Sequence, residues 1–299
     1  MISKKSYSVE IDIDLAMDIE QILNGGFFPL TTFLDKKSLE SVLKNMRLPS
    51  GEIWPIPVLF PKKFDRQIGS IDTLLLKFQG KDFAILEDPE TFEYNLDKLT
   101  LLFYGTDNPE HPGVQTTKKI PHVFITGKLI GISKLHKILN INYLEPDGVK
   151  SIIKKKCWKK IVGFHTRNPP HRAHEYIHKS VLKNSDALLL HPVIGSKRKG
   201  DFTSEAILKS YELYVEKYLP KERVILTPLL TYSRYAGPRE AVFTAIVRRN
   251  YGCTHFIIGR DHTGVKKFYG KYDSQKIFQN FKDINIEIIP FSEPFYCQK

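Results

Sequence analysis

The 299-residue sequence has few cysteines and no long hydrophobic run. Cys157, Cys253 and Cys297 are odd in number and form no C-x-x-C pair, which argues against a disulfide framework and against a zinc cluster within this chain. No stretch reaches the roughly 18 to 20 continuous apolar residues that a membrane helix needs, and the opening residues lack the apolar core of a secretory signal. No internal repeat or low-complexity tract is visible. We therefore expect a cytoplasmic protein without a membrane partner.

The composition supplies enough apolar material for one or two hydrophobic cores, since 41% of the residues are hydrophobic and 12% are aromatic. A chain of this length is expected to form two domains. The formal net charge is +12, yet residues 1–150 carry 18 basic and 20 acidic side chains. All of the excess positive charge therefore lies in residues 151–299. A basic domain attracts phosphate, sulfate, nucleic acid or an acidic membrane surface, and the charge alone does not choose among them.

In the first half, short apolar runs are separated by Gly, Pro, Asn and Asp, which is typical of strands and turns. A helix is predicted over residues 35–46, with Asp35 as its N-cap. Strands are predicted within residues 54–60, 71–78, 82–87 and 122–132. We expect residues 1–150 to form a mostly β domain with a few helices near its start.

The second half alternates buried-type strands with amphipathic helices. Helices are predicted over residues 172–184, 203–219 and 238–251, with Thr203 as a cap and Pro238 in a first-turn position. Strands are predicted at residues 161–166, 186–195, 223–230, 254–259 and 285–290. Strand and helix alternating every ~30 residues predict a doubly wound parallel sheet, in which ligands bind beyond the carboxyl ends of the strands.

The loop after the first of these strands carries groups suited to phosphate. It contains Arg167, Asn168 and two prolines, and it leads into a helix that begins near His171 and His174. Free N–H groups at a helix N-terminus bind phosphate, and the two imidazoles can point toward the same ligand. The simpler alternative is that the histidines form a structural pair beside local caps. Metal binding is a third reading, but no nearby carboxylate or cysteine completes a ligand set.

Further polar groups follow other strands of the second half. Residues 259–264 read Gly-Arg-Asp-His-Thr-Gly, and Gly259 would let a ligand approach the backbone. Arg234 and Arg239, and the lysine-rich residues 195–201, are expected at the same edge. An ordinary β-to-α turn and a solvated run of charge are the alternatives for these segments. The loop that contains Arg167, residues 259–264, the segment with Arg234 and Arg239, and residues 195–201 are all expected at the carboxyl edge of the sheet. Four such segments at one edge favour an anion site.

Several of these segments together resemble the ATP sulfurylase family. The resemblance rests on three long motifs in series, at residues 165–175, 234–241 and 250–264. It extends into the first half, at residues 23–30, 54–57 and 104–114. Several ordered motifs covering nearly the whole chain make chance agreement far less probable than for any single short pattern.

The resemblance implies a β-rich, PUA-like domain over residues 1–150 and a Rossmann-like nucleotidylyltransferase domain with a parallel sheet over residues 151–299. It implies an enzyme of sulfate activation, which makes adenosine 5′-phosphosulfate and pyrophosphate from ATP and sulfate. Mg²⁺ would arrive on ATP, without a protein-held metal. We also expect a homo-oligomer that binds no nucleic acid.

The resemblance also implies roles for individual residues. The catalytic set would be Thr166, Arg167, Asn168, His171 and His174. ATP would contact His165, Thr166, Arg167, Asn168, Gly259, Arg260, Asp261 and His262. Sulfate would contact His165, Arg167 and Thr263. The two histidines of the helix would stabilise the transition state and the departing pyrophosphate, and Arg167 would grip sulfate in a bidentate manner.

Three departures from the family pattern bear on this assignment. His165 stands where the family usually has glutamine, and Thr263 stands where it usually has alanine. Both lie at the expected oxyanion pocket, so one alternative is a nucleotidyltransferase of the same fold with a different oxyanion or acidic acceptor. The third departure follows Tyr296 and Cys297. Many relatives continue from this point into a zinc-binding tail with a C-x-x-C pair, whereas this sequence reads Gln298-Lys299.

A nucleic-acid-binding protein is the rival from another class, because residues 151–299 are strongly basic. The first half, where a PUA-like module would touch RNA, is slightly acidic instead. No aromatic stripe interleaves with the basic runs to stack on bases. These observations favour the enzyme.

Overall fold

Two five-stranded sheets follow one another along the chain, within residues 6–131 and 161–290. The computed structural model describes residues 5–196, 200–260, 262–265 and 267–292. No helix in the described ranges is both long and apolar enough to cross a membrane.

The first sheet is mixed. Its strands are β1 (Ser6–Glu10), β2 (Phe60–Pro61), β3 (Thr73–Phe78), β4 (Lys81–Glu93) and β5 (Val123–Gly131), in the order β1-β3-β4-β5-β2. The β1–β3 pair is parallel and the other pairs are antiparallel. The helices of this half are α1 (Ile13–Leu23), α2 (Lys36–Asn45), α3 (Leu96–Tyr104), α4 (Pro112–Thr117), α5 (Leu135–Ile138) and α6 (Pro146–Lys155).

Most of the predicted elements of this half are present. β3, β4 and β5 confirm three of the four predicted strands, and Asp35 caps α2 by accepting a hydrogen bond from the backbone N–H of Ser38 at 2.7 Å. The strand predicted over 54–60 is wrong, since only Phe60 belongs to a strand. Pro55 and Pro57 remove alternate N–H donors, so this segment cannot form a continuous ladder. Its apolar side chains belong to the core instead.

The second sheet is entirely parallel, as predicted. Its strands are β6 (Ile161–Thr166), β7 (Ala187–Pro192), β8 (Val224–Leu226), β9 (His255–Ile258) and β10 (Glu287–Pro290), in the order β10-β9-β6-β7-β8. The helices are α7 (Arg172–Leu182), α8 (Ser204–Tyr218), α9 (Pro238–Asn250) and α10 (Asp273–Lys276). The order of strands along the sheet reverses between β6 and β9, and such a reversal opens a crevice for ligands.

Helix α9 lies in the core and connects the two halves. Ten of its 13 residues are buried and the other three are partly exposed, and Phe243 packs edge-on against Phe27 and Trp54 of the first half. The ring centroids lie 5.1 and 5.6 Å from that of Phe243. A helix that is buried on all sides has little amphipathic pattern. The two halves therefore share one continuous hydrophobic core.

Arg234 and Arg239 serve this junction, so their expected place on an anion-binding rim is wrong. The buried guanidinium of Arg234 forms an ion pair with Asp18 of α1, which also accepts a hydrogen bond from the Tyr232 hydroxyl at 3.0 Å. Arg239 donates to the backbone carbonyls of Val42, Leu43 and Pro55. Sequence spacing places both arginines near a strand end, but only the tertiary structure shows that their partners come from the first half.

Replacing Asp18 with Asn should strongly destabilise the protein, because it leaves the buried Arg234 guanidinium without its counter-charge. We expect a loss of about 3 kcal/mol in the free energy of unfolding, measured by urea denaturation. Asp12→Asn is the matched control, since its ion pair with Lys63 is about half exposed and asparagine can still cap α1. The control should lose less than about 1 kcal/mol. Equal losses in the two variants would contradict the proposed importance of the buried pair.

Candidate active site

A cavity of about 350 Å³ opens at the carboxyl ends of β6 and β9, where the strand order reverses. The loops that follow these two strands face each other across it. The described residues that line it are Phe164, His165, Thr166, Arg167, Asn168, His174, Ile177, Ser233, Tyr235, Glu240, Ile257, Gly259, His262, Thr263 and Gly264. Two segments almost 100 residues apart in the sequence are thus brought together, as the strand-end argument predicted.

The loop after β6 is held by a small turn at Thr166. The Thr166 hydroxyl donates to the Asn168 carbonyl at 3.1 Å and accepts from the Asn168 backbone N–H at 3.2 Å. This turn buries Thr166 and leaves Arg167 and Asn168 exposed at the cavity. The Arg167 guanidinium lies 5.4 Å from the centre of the Tyr235 ring. Stacking on an aromatic ring restrains the guanidinium while leaving its N–H donors available to an anion.

The two histidines predicted at the start of α7 form a stack. The ring centroids of His171 and His174 are 3.8 Å apart, and the His171 side chain makes no capping hydrogen bond. His174 lines the cavity, and its Nδ1 lies 3.4 Å from the Tyr211 hydroxyl. Burial, with a smaller contribution from His171, lowers the pKa of His174 to about 4. His174 is therefore neutral near pH 7, and it can present an uncharged imidazole to a ligand.

The opposite wall comes from the loop after β9. A Cβ at Gly259 would meet no atom within 4 Å, so the backbone there borders open space. His262 Nε2 lies 3.0 Å from the Thr244 hydroxyl of α9, and burial lowers the pKa of His262 to about 3. Arg260 is partly buried but is not among the residues that line the cavity. Asp261 lies outside the described residues.

His165 and Thr263, the two departures from the family pattern, both line the cavity. Burial lowers the pKa of His165 well below its ordinary value, with Arg248 as the next cause. The Thr263 hydroxyl lies within hydrogen-bond distance of two carbonyls, that of Gly237 at 2.8 Å and that of His262 at 2.7 Å, and it donates its one proton to this pair. The hydroxyl proton is therefore used within the protein. The donor that Thr263 can offer a ligand is its backbone N–H, as for alanine.

The chain matches two family models and is similar to known proteins. Residues 141–299 match the ATP-sulfurylase model and residues 2–134 match a PUA-like domain model. The chain belongs to the ATP-sulfurylase family. It is 40% identical to a sulfate adenylyltransferase of Synechococcus sp. (strain JA-3-3Ab), over 97% of this chain and 75% of that protein. A sulfate adenylyltransferase of Ignicoccus hospitalis is 38% identical, over 99% of this chain and 78% of that protein.

A solved structure shows the same fold. It is described as a hexameric APS kinase from Thiobacillus denitrificans, and the two chains superpose with a TM-score of 0.72 at 21% identity. The match covers 97% of this chain and 52% of that chain. The architecture of a PUA-like domain followed by an ATP-sulfurylase domain is therefore confirmed.

Glu240 of the ATP-sulfurylase domain lines the cavity, although its sequence context did not predict this. Its carboxylate accepts hydrogen bonds from the backbone N–H groups of Arg234, at 2.9 Å, and Ala236, at 3.0 Å. Burial raises its pKa, although the two N–H donors oppose that shift. Glu240 thus folds the loop that carries Tyr235. The motif at residues 234–241 contains Glu240, but nothing in the sequence indicates that this carboxylate binds backbone N–H groups and not a ligand.

A carboxylate and histidine cluster lies away from the cavity. Ligand atoms of Glu20, His136 and Glu145 lie within 4.8 Å of one another. Glu20 already accepts from the Leu135 backbone N–H, at 2.9 Å, and Glu145 pairs with the Lys134 ammonium, at 3.0 Å. A cation next to the cluster disfavours a metal ion, so we interpret it as an ion-pair network.

Proposed function

We propose that this protein is a sulfate adenylyltransferase. In this reaction a sulfate oxygen attacks the α-phosphorus of ATP, the bond from that phosphorus to the bridging oxygen breaks, and pyrophosphate leaves. The observation that carries the proposal is the cavity at the strand-order reversal, lined by residues of all three long motifs of the family. Sulfate adenylyltransferases of two organisms align with nearly the whole chain, which supports the same reaction.

The lining residues suit displacement at phosphorus, which depends on positioning and on neutralising charge. We propose that Thr166, Arg167 and Asn168 form the active loop and that Arg167 grips sulfate. His171 and His174, at the N-terminus of α7, would stabilise the transition state and the leaving pyrophosphate. This helix is long enough for its free N–H groups to attract an anion.

We assign the remaining contacts by position around the cavity. Gly259 and His262 would contact the nucleotide from the β9 side, together with Arg260 and Asp261 of the same motif. His165 and the backbone N–H of Thr263 would contact sulfate. The open space beside Gly259 and the bonded Thr263 hydroxyl support these roles.

Mg²⁺ would reach the cavity on the phosphates of ATP. Glu240 is the carboxylate among the described lining residues, and backbone N–H groups already bind both of its oxygens. The other polar lining side chains include imidazoles and a guanidinium, whereas Mg²⁺ prefers oxygen ligands. When bound, Mg²⁺ would neutralise charge on the phosphate oxygens. Self-association of the chain stays a prediction.

A nucleotidyltransferase with another acceptor is the second candidate, and His165 is the observation that favours it. Its imidazole is neutral, it borders the expected acceptor pocket, and its Nδ1 is buried without a hydrogen-bond partner. An acceptor with a donor of its own could bond to such a nitrogen.

The first experiment measures pyrophosphate release from ATP and Mg²⁺ with sulfate, selenate, molybdate or phosphate. We expect release with sulfate, and formation of adenosine 5′-phosphosulfate when pyrophosphatase removes the other product. Folded protein that releases pyrophosphate only with another oxyanion would favour the second candidate. No product in either direction at several sulfate concentrations would rule out the proposal.

Replacing His171 or His174 with Ala should lower kcat by about 100-fold or more, because each change removes a preorganised donor to the phosphates. KM should change less. His122→Ala is the control, since His122 is exposed in the first half. Wild-type kcat in both folded variants, or unfolding of both, would show that the histidine stack is structural.

Replacing His165 with Gln should retain sulfate activity and remove a pH dependence. The charge of Arg167 nearby in the sequence disfavours protonation of His165 until an anion binds. We therefore expect His165 to take up a proton on anion binding, so that sulfate affinity weakens as pH rises. Burial lowers its pKa well below 6.5, which moves this dependence to acidic pH. Parent and variant should therefore match at neutral pH, and below about pH 6 the parent should gain more affinity than the variant, since His174 titrates in both. Identical profiles across the acidic range, at matched ATP saturation, would remove His165 from the oxyanion site.

A further inference from the structure

Arg248 lies beneath the floor of the cavity, fully buried in the last turn of α9. Its stem crosses β6 at Gly163, where a Cβ would come within 2.7 Å of the Arg248 Cγ atom. Its guanidinium then reaches the carboxyl end of β7, where it donates to the His191 carbonyl at 3.1 Å. The missing side chain at Gly163 therefore makes room for a cation under the sheet.

This guanidinium is buried without a carboxylate partner within 4.0 Å in the part of the chain that the structure describes. Its other contacts are a weak one to the Thr244 carbonyl, at 3.5 Å, and the Phe256 ring, whose centre lies 5.6 Å away. Its Nε has no hydrogen-bond partner. Arg234 is also buried, but Asp18 balances its charge. Since an unpaired buried charge is costly, Arg248 calls for an explanation that Arg234 does not.

The groups around Arg248 belong to the cavity or border it. Thr244 joins the two, because its carbonyl accepts from Arg248 and its hydroxyl contacts His262. Burial lowers the pKa of His165, His191 and His262, and the charge of Arg248 is the second cause in each case. Burial also lowers the pKa of Arg248, to about 9, which leaves it charged at neutral pH. The titratable groups that face it are His165, His191, Tyr251, Cys253 and His262.

We propose that Arg248 is a positioning residue that supplies a fixed positive charge behind the oxyanion pocket, and that bound sulfate and phosphate provide its counter-charge. The inference rests on the proposed function only for the identity of those anions. Arg248 acts from behind His165 and His262, which line the cavity, feel its charge and stay neutral beside it. A single enclosed charge then attracts the anion from below, where water does not screen it.

Arg248→Met tests the inference, because it removes the charge and keeps an apolar stem. We expect the KM for sulfate and the dissociation constants of sulfate and inorganic pyrophosphate to rise by about ten-fold, with a smaller change in kcat. The free protein should be as stable as the parent or more so, since an unpaired buried charge is gone. Arg248→Lys should restore most of the affinity. A merely structural arginine would instead lose stability on replacement and leave anion affinity unchanged, which would overturn the proposal.

Arg249→Met is the matched control, because Arg249 is the next residue of α9, is partly buried, and donates to the Ile284 carbonyl at 2.9 Å, away from the cavity. It should leave anion affinity unchanged. If Arg248→Met does not fold, Gly163→Ala should push the Arg248 stem away from β6, because the new Cβ would lie 2.7 Å from its Cγ atom, and unchanged sulfate affinity in that variant would overturn the inference. Calorimetric binding of sulfate and pyrophosphate needs no turnover. It therefore separates a failure of this inference from a failure of the proposed function.

Discussion

The burial of helix α9 is the constraint on which the rest of this structure depends. Its first turn carries Arg239, which bonds to backbone of the first half, and Glu240, which folds the loop beside the cavity. Its middle carries Phe243 against the shared aromatic core. Thr244 then contacts His262 of the cavity wall, and Arg248 donates to the His191 carbonyl. A shift of this one helix would disturb the domain junction and the candidate active site together, since packed interiors do not deform continuously.

The charge states of the cavity histidines are set by burial more than by ion pairing. The imidazoles of His165, His174 and His262 all have pKa values below the ordinary value, because each ring is largely removed from water. Positive charge comes instead from the Arg167 side chain above and from Arg248 below. Such a site attracts anions without placing several adjacent cations in an empty cavity, where they would repel one another. It fits a reaction catalysed by positioning and charge neutralisation.

The cavity lies where the sequence predicts it, at the carboxyl ends of parallel strands, but two arginines predicted at its rim lie elsewhere. The parallel strands were predictable because β6, β7 and β9 are short, continuous apolar runs, and parallel strands deliver their carboxyl ends to one edge. Arg234 and Arg239 also stand near a strand end, yet their partners are Asp18 and the α2 backbone. Residues 54–60 carry a strand-like apolar pattern, but two prolines prevent a ladder. The local sequence pattern indicates which residues are buried and how they are spaced. The partner of a buried side chain lies in a distant segment, so the pattern does not predict it.

The sequence by itself determined the alternation of strands and helices in the second half, the caps at Asp35 and Thr203, and the motifs that follow β6 and β9. These features depend on neighbours a few residues apart, so the sequence displays them directly. Only the tertiary structure decided that Arg234 balances Asp18 while Arg248 has no such partner among the described residues. It also decided that the histidines of the cavity are neutral. Both outcomes depend on which segments exclude water from a side chain, and that follows from packing between residues far apart in the chain.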